Sequence, residues 1–165
     1  MKMSADLVTT LNKQINMEFY SSYIYLSMAA DFVNKNLTGF GGWMRAQSAE
    51  ETGHGMKIFR FLEERGEKVE LAAIDAPPQT WKTPLAAFQD ALAHEKKVTA
   101  SIAGIFELAR KQQDHATEIF LQWFVSEQVE EEAQTDEIVE KLELIKDNTG
   151  ALLMLDKELG QRGSE

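Results

Sequence analysis

The chain contains no cysteine, which removes disulfides, thiolate zinc sites, iron–sulfur clusters and cysteine nucleophiles in one step. Any metal it binds must be held by oxygen and imidazole. Proline is nearly as scarce: Pro77, Pro78 and Pro84 are the only three in 165 residues, so most of the chain is free of the strongest helix breaker. No stretch offers about 18 consecutive apolar residues, and residues 1–11 lack the basic start and apolar run of a secretory signal. The expectation is a cytoplasmic protein with no membrane partner. Basic residues number 17 against 27 acidic ones, a net charge of −10 that argues against nucleic acid as a partner and for cations. With 44% apolar content, this length suits one hydrophobic core, and a single domain over residues 1–165 is expected.

What is present is helical punctuation. Ser4 can cap a first helix running to about Asn34, and Thr38 with Gly39 opens a second that stops at Gly66. Thr83 before Pro84 combines a cap with a first-turn proline and starts a third helix that fades near Gln112. Asp114 can cap a fourth, continuing to about Asp147. After Asn148 and Gly150, the apolar residues 151–155 suggest a short fifth helix ending at Gly160. The first-to-second and third-to-fourth connections are short, as antiparallel neighbours require. Residues 67–83 are long enough to run the length of a bundle, which lets the second and third helices lie parallel. The predicted fold class is all-α: a four-helix bundle with one long crossover and a short C-terminal helix.

Alternating steps of three and four pick out the face each helix turns inward. The first stripe reads Leu11, Ile15, Glu18, Ser22, Tyr25, Ala29, Phe32, and the second Phe40, Met44, Gln47, Glu51, His54, Ile58, Phe61. The third is Leu85, Phe88, Leu92, Glu95, Thr99, Ile102, Phe106, and the fourth Leu121, Phe124, Gln128, Glu131, Thr135, Ile138, Leu142. Each is apolar at both ends and carries a glutamate near its middle. An unpaired buried carboxylate costs several kcal/mol or takes up a proton, and like charges a few ångströms apart cannot all stay ionised without a cation between them. No lysine or arginine occupies any stripe position. Two divalent ions would balance Glu18, Glu51, Glu95 and Glu131. Carboxylates with one imidazole form a hard site that suits iron or manganese better than copper or structural zinc. Glu51 and His54, three residues apart, project side by side as the Glu-x-x-His pair of di-metal carboxylate bundles. The competing reading places these glutamates at helix edges and makes His54 a hydrogen-bonded core histidine.

Residues 16–23 (Asn-Met-Glu-Phe-Tyr-Ser-Ser-Tyr), 49–54 (Ala-Glu-Glu-Thr-Gly-His), the pair His94-Glu95, and 123–132 (Trp-Phe-Val-Ser-Glu-Gln-Val-Glu-Glu-Glu) occur in this order. Through them the whole chain resembles the prokaryotic non-haem ferritins. The resemblance implies an iron-storage protein with ferroxidase activity, oxidising Fe(II) with dioxygen or peroxide and depositing ferric mineral inside a homo-oligomeric shell of about 24 subunits. It implies two irons per subunit, one on Glu18, Glu51 and His54, the other on Glu95, Glu131 and the bridging Glu51. Gln128 resembles the residue lining the second position. Glu50, Glu127 and Glu130 resemble a third iron site, against which stands a plain solvated acidic face. Tyr25, roughly 10 Å along the helix axis from Glu18, resembles the family's tyrosine near the metals, with a core tyrosine as the alternative. Bacterioferritins carry a second Glu-x-x-His on the fourth helix and a haem-ligating methionine after the bridging glutamate; here Gln128 and Thr52 stand instead, so no haem is expected. Off the stripes, His94 and His115 read as surface histidines, and Trp43, Phe59 and Trp81 as subunit contacts. Met17, Met28, Met44, Met56 and Met154 read as core and interface filler.

Overall fold

Helices form where the caps and proline-free runs place them. A computed structural model describes residues 2–162, in which five helices follow one another: α1 (Ala5–Asn34), α2 (Thr38–Glu64), α3 (Pro84–Lys111), α4 (His115–Ile145) and α5 (Thr149–Leu159). No helix among the described residues is long and apolar enough to cross a membrane. Ser4 Oγ accepts the Leu7 N–H at 3.2 Å, Thr83 Oγ1 that of Ala86 at 3.1 Å, Asp114 Oδ1 that of Thr117 at 3.0 Å, and Asn148 Oδ1 that of Ala151 at 3.0 Å. Gly66, at φ 70, closes α2, and Glu67 N–H returns to the Leu62 carbonyl at 2.9 Å, the left-handed stop that favours glycine. The fourth helix ends at Ile145, two residues short of the expected Asp147, where Lys146 turns to φ 50.

The start of α2 differs from expectation. Its cap position is Leu37, not Thr38, and no side chain of its own caps it; Asp156 of α5 accepts the Phe40 N–H at 2.9 Å instead. Glycine at position 39 permits that approach, since a Cβ there would stand 1.7 Å from the Asp156 carbonyl oxygen. Replacing Asp156 by alanine should therefore lower stability by about 1 kcal/mol, the usual loss for a removed cap, read as a lowered denaturation midpoint.

Side-chain pairs set the helix directions. Gln14 meets Ser101 and Ser21 meets His94, so α1 and α3 are antiparallel. Gln47 meets Glu131 and Arg65 meets Asp114, so α2 and α4 are antiparallel as well. With short turns joining α1 to α2 and α3 to α4, α2 and α3 run parallel. The crossover lies along α1, tied by Asn12 to Lys68 and Glu70, Asn16 to Ala73, Ser27 to Pro78 and Asp31 to Trp81.

The core is split. Phe32, Phe40, Phe88 and Leu142 belong to one apolar cluster, while Leu11, Ile58, Ile102 and Leu121 belong to another. The mid-helix glutamates occupy the layer between the two. Two of the aromatic residues expected at subunit contacts are covered by the chain itself: Trp43 and Trp81 are buried in the first cluster. Trp43 packs at 5.3 Å from Phe88, and Trp81 is drawn in by bonds to Asp31 and Asp90. Phe59 is partly buried against the second cluster. Met28 and Met44 are core residues, whereas Met154 is exposed.

A forked ion pair pins the end of α2 to the start of α4. Arg65 Nη1 and Nη2 donate to the two oxygens of Asp114 at 2.9 and 2.8 Å, and this hydrogen bonding holds the Asp114 carboxyl down at about 2. A carboxylate depressed from 3.8 to about 2 contributes about 2 kcal/mol above its ordinary value, lost as pH falls through about 2. Arg65→Ala should remove part of that amount at neutral pH, the Thr117 bonds to Asp114 and solvent screening keeping it below the full value, and flatten the acid limb of a stability–pH curve between about pH 4 and 2.

Candidate metal centre

The glutamates meet because each sits on the inward register of its helix. Glu18, Glu51, His54, Glu95, Gln128 and Glu131 are all buried, none more than 5% exposed. Three groups place ligand atoms within 4.8 Å of one another: Glu18 with Glu51 and His54, Glu51 with Glu95 and Glu131, and His54 with Glu127 and Glu131. Glu51 is common to the first two. The His54 Nδ1 comes within 3.3 Å of Glu51 Oε2 without the alignment of a hydrogen bond. That Nδ1 and Glu18 Oε2 are buried with no hydrogen-bond partner.

Electrostatics agree with a missing positive charge. Burial, reinforced by Glu51, pushes Glu18 well above the usual carboxylate range. Burial and the facing Glu95 and Glu131 do the same to Glu51. Glu95 is raised by burial against the lowering effect of bonds from Tyr25 and Gln128, and Glu131 is raised to about 7 by burial and Glu95. A buried, unpaired carboxylate oxygen and imidazole nitrogen among carboxyls that resist ionisation are what a cation site presents, and the oxygen-rich donor set fits iron.

Amides surround the carboxylates. Gln47 Nε2 donates to Glu51 Oε1 at 3.2 Å and closely to Glu131 Oε2. Gln128 Nε2 donates to Glu95 Oε2 at 3.2 Å. The Tyr25 hydroxyl donates to Glu95 Oε1 in a short bond, and its own ionisation is pushed far up by burial and by Glu95. Between α3 and α4, a hollow of about 300 Å³ lined by Thr99, Val125 and Val129 reaches Gln128.

The three residues offered for a third site separate. Glu127 Oε1 lies 3.8 Å from His54 Nε2 and joins one of the ligand groups. Glu50 is exposed and paired with Arg162 at 2.7 Å. Glu130 is exposed and falls in none of the three groups.

His94 corrects a sequence expectation. It is buried, with Nε2 2.6 Å from Ser21 Oγ and the ring edge-on to Tyr20. Burial and then Lys97 hold its pKa down to about 4, so it is neutral. The strict stripe missed it because α3 packs against α1 on one flank and α4 on another, burying more than one line of residues. His115 is exposed, beside Glu118 at 3.1 Å. Gln14 and Ser101 were also missed; a glutamine four residues before a buried glutamate was the available signal for the first.

A ferritin-like domain model matches residues 8–145. The chain belongs to the ferritin family. It is 38% identical over 160 residues to the bacterial non-heme ferritin of Staphylococcus aureus strain MRSA252, covering 97% of this chain and 96% of that one. Among solved structures it is similar to the open pore ferritin of the hyperthermophilic archaeon Archaeoglobus fulgidus, with 52% identity, TM-score 0.97 and coverage of 98% and 99%. It is also similar to an engineered closed form of that ferritin, with TM-score 0.96, 52% identity and 98% of each chain covered. The bundle with its short C-terminal helix is thus the ferritin fold, and iron storage is the function of this ferritin.

Proposed function

We propose that this ferritin is a ferroxidase that oxidises Fe(II) at the buried glutamate layer and passes Fe(III) inward for storage as mineral. In this reading Glu18 and His54 hold one iron, Glu95 and Glu131 the other, and Glu51 bridges them. Gln128 lines the second position. What supports the reading is one observation above all: overlapping ligand groups that share Glu51, with Glu18 Oε2 and His54 Nδ1 left buried and unpartnered.

Iron here is substrate as well as cargo. Each Fe(II) gives up one electron, and a pair reduces one dioxygen, with two protons, to peroxide. The chain's own part is to bind the two ions at fixed separation, balance four positive charges with four carboxylates and exclude bulk water from the layer. Gln47, bonded to both Glu51 and Glu131, holds two ligands from different helices in register. Tyr25 is placed to steady Glu95 and is the nearest phenol available as an electron donor. The assembly is proposed to be a shell of about 24 copies in a cytoplasmic setting, without haem. Stopped-flow oxidation should show a rapid phase that saturates at two Fe(II) per subunit, and size-exclusion chromatography should find the stored iron with the assembled protein. A chain that stays monomeric, or a rapid phase with no such saturation, would count against the proposal.

A third, transit position is proposed on Glu127 beside His54 and Glu131, with the exposed Glu50 and Glu130 as further contacts for the ion in transit. Changing Glu127 to alanine should leave oxidation in a first two-iron pulse near the parental rate and alter it in a second pulse. Identical behaviour in both pulses would return these glutamates to a solvated face.

A further inference from the structure

Gln14 stands one turn before Glu18 on α1 and is 1% exposed. A buried primary amide needs partners for both its ends. Its Nε2 donates to Glu18 Oε1 at 2.7 Å, and its Oε1 accepts the Ser101 hydroxyl from α3 at 2.5 Å. The chemistry of the neighbours orients the amide, because a carboxylate must face the NH2 and a donating hydroxyl the carbonyl. Glu18 is thereby held by one oxygen, while Oε2 is buried with no partner. Glu95 is the contrast: Tyr25 donates to its Oε1 and Gln128 to its Oε2, so its two oxygens are held alike and each keeps a lone pair for an ion, with neither set apart as the bare one.

We infer that Gln14, steadied across the α1–α3 contact by Ser101, is a positioning residue that restricts Glu18 to a single ligand oxygen, Oε2, at the metal position it shares with Glu51 and His54. This rests on the metal-binding reading above. A glutamate has three side-chain torsions and can swing or offer both oxygens to an ion. A donor fixed on Oε1 curbs that freedom before the ion arrives. Gln14 turns its Nε2 to Glu18 and its Oε1, the one atom it could offer an ion, to the Ser101 hydroxyl, so both residues act through Glu18. The other metal position, built on Glu95 and Glu131, does not depend on them.

The test is titration of the assembled, metal-free protein with Co(II), whose visible d–d bands report coordination number and which suits a carboxylate–imidazole site. The variants are Gln14→Leu, which removes the donor at similar size, Ser101→Ala, which cuts only the far anchor, and Ser101→Thr, which keeps the hydroxyl. In Gln14→Leu, one of the two Co(II) ions should bind roughly ten- to hundredfold more weakly. Its d–d absorption should fall as Glu18 becomes free to offer two oxygens and raise the coordination number. The second ion should keep its parental affinity. Ser101→Ala should shift the same ion in the same direction by a smaller factor, and Ser101→Thr should match the parent. Should Gln14→Leu fail to fold, the two Ser101 variants decide the matter between them. Parental binding and spectra in every folded variant would overturn the inference, as would equal weakening of both ions, the mark of loosened α1–α3 packing. A parent that binds no Co(II) would instead overturn the metal centre itself and this inference with it.

Discussion

Replacing Glu51 by alanine is expected to slow the rapid oxidation of the first two irons by at least about a hundredfold. Losing a partner that merely orients a ligand already costs ten- to hundredfold in affinity or activity, and Glu51, the proposed bridge, is common to two of the candidate ligand groups. The variant also loses one of four balancing charges, which leaves a bound ion pair with excess positive charge in a low-dielectric layer. Glu51→Gln separates these contributions from packing: it keeps the volume and the bond to Gln47, and it loses the charge. Both variants should keep parental helical circular dichroism, because the two apolar clusters on either side of the layer remain intact. Rapid oxidation at the parental rate in a folded Glu51→Ala protein would refute the assignment of the bridge.

The second large effect is on the pH dependence of stability. Glu131 has its pKa raised from 4.5 to about 7 by burial and by Glu95. Between those values the folded chain keeps a proton that the unfolded chain releases. The stability supplied by the neutral carboxyl is therefore complete below the ordinary value and is lost as pH rises through 7, by about 3 kcal/mol for this residue alone. Glu18, Glu51 and Glu95 are shifted in the same direction and steepen the loss. Metal-free protein should thus become easier to unfold in denaturant as pH is raised from about 5 to 8, a window separate from the opposite-signed contribution of Asp114 below about pH 4. Saturating Zn(II), a redox-inert stand-in, should abolish the slope and then reverse it, because the cation makes the ionised carboxylates the favoured form. Metal-free stability that is flat or rising over that window would contradict a charge-deficient layer.

Much of this was legible in the chain. A helix turns 100° per residue, so a glutamate in register with Leu11, Ile15 and Phe32, or with Phe124 and Leu142, is committed to the interior once the helix is. Lack of cysteine limited the ligands to oxygen and imidazole, and Ser4, Thr83, Asp114 and Asn148 announced helix starts through bonds that span three residues. These are local properties, and sequence by itself determined them. What only the tertiary structure decided depends on which helices flank which. Whether His94 faces solvent turns on α1 lying beside α3, and the link from Ser101 to Gln14 crosses the same boundary. Trp43 and Trp81 look like surface aromatics until Phe88 of α3 packs on the first and Asp31 of α1 and Asp90 of α3 bond the second. The start of α2 is capped by Asp156, more than a hundred residues later, because α5 folds back onto Gly39. In the acidic trio, sequence spacing treats Glu50, Glu127 and Glu130 alike, but only Glu127 is rotated toward His54, while Glu50 is taken up by Arg162. Periodicity reports which residues face inward; the direction from which a second helix arrives settles what they meet there.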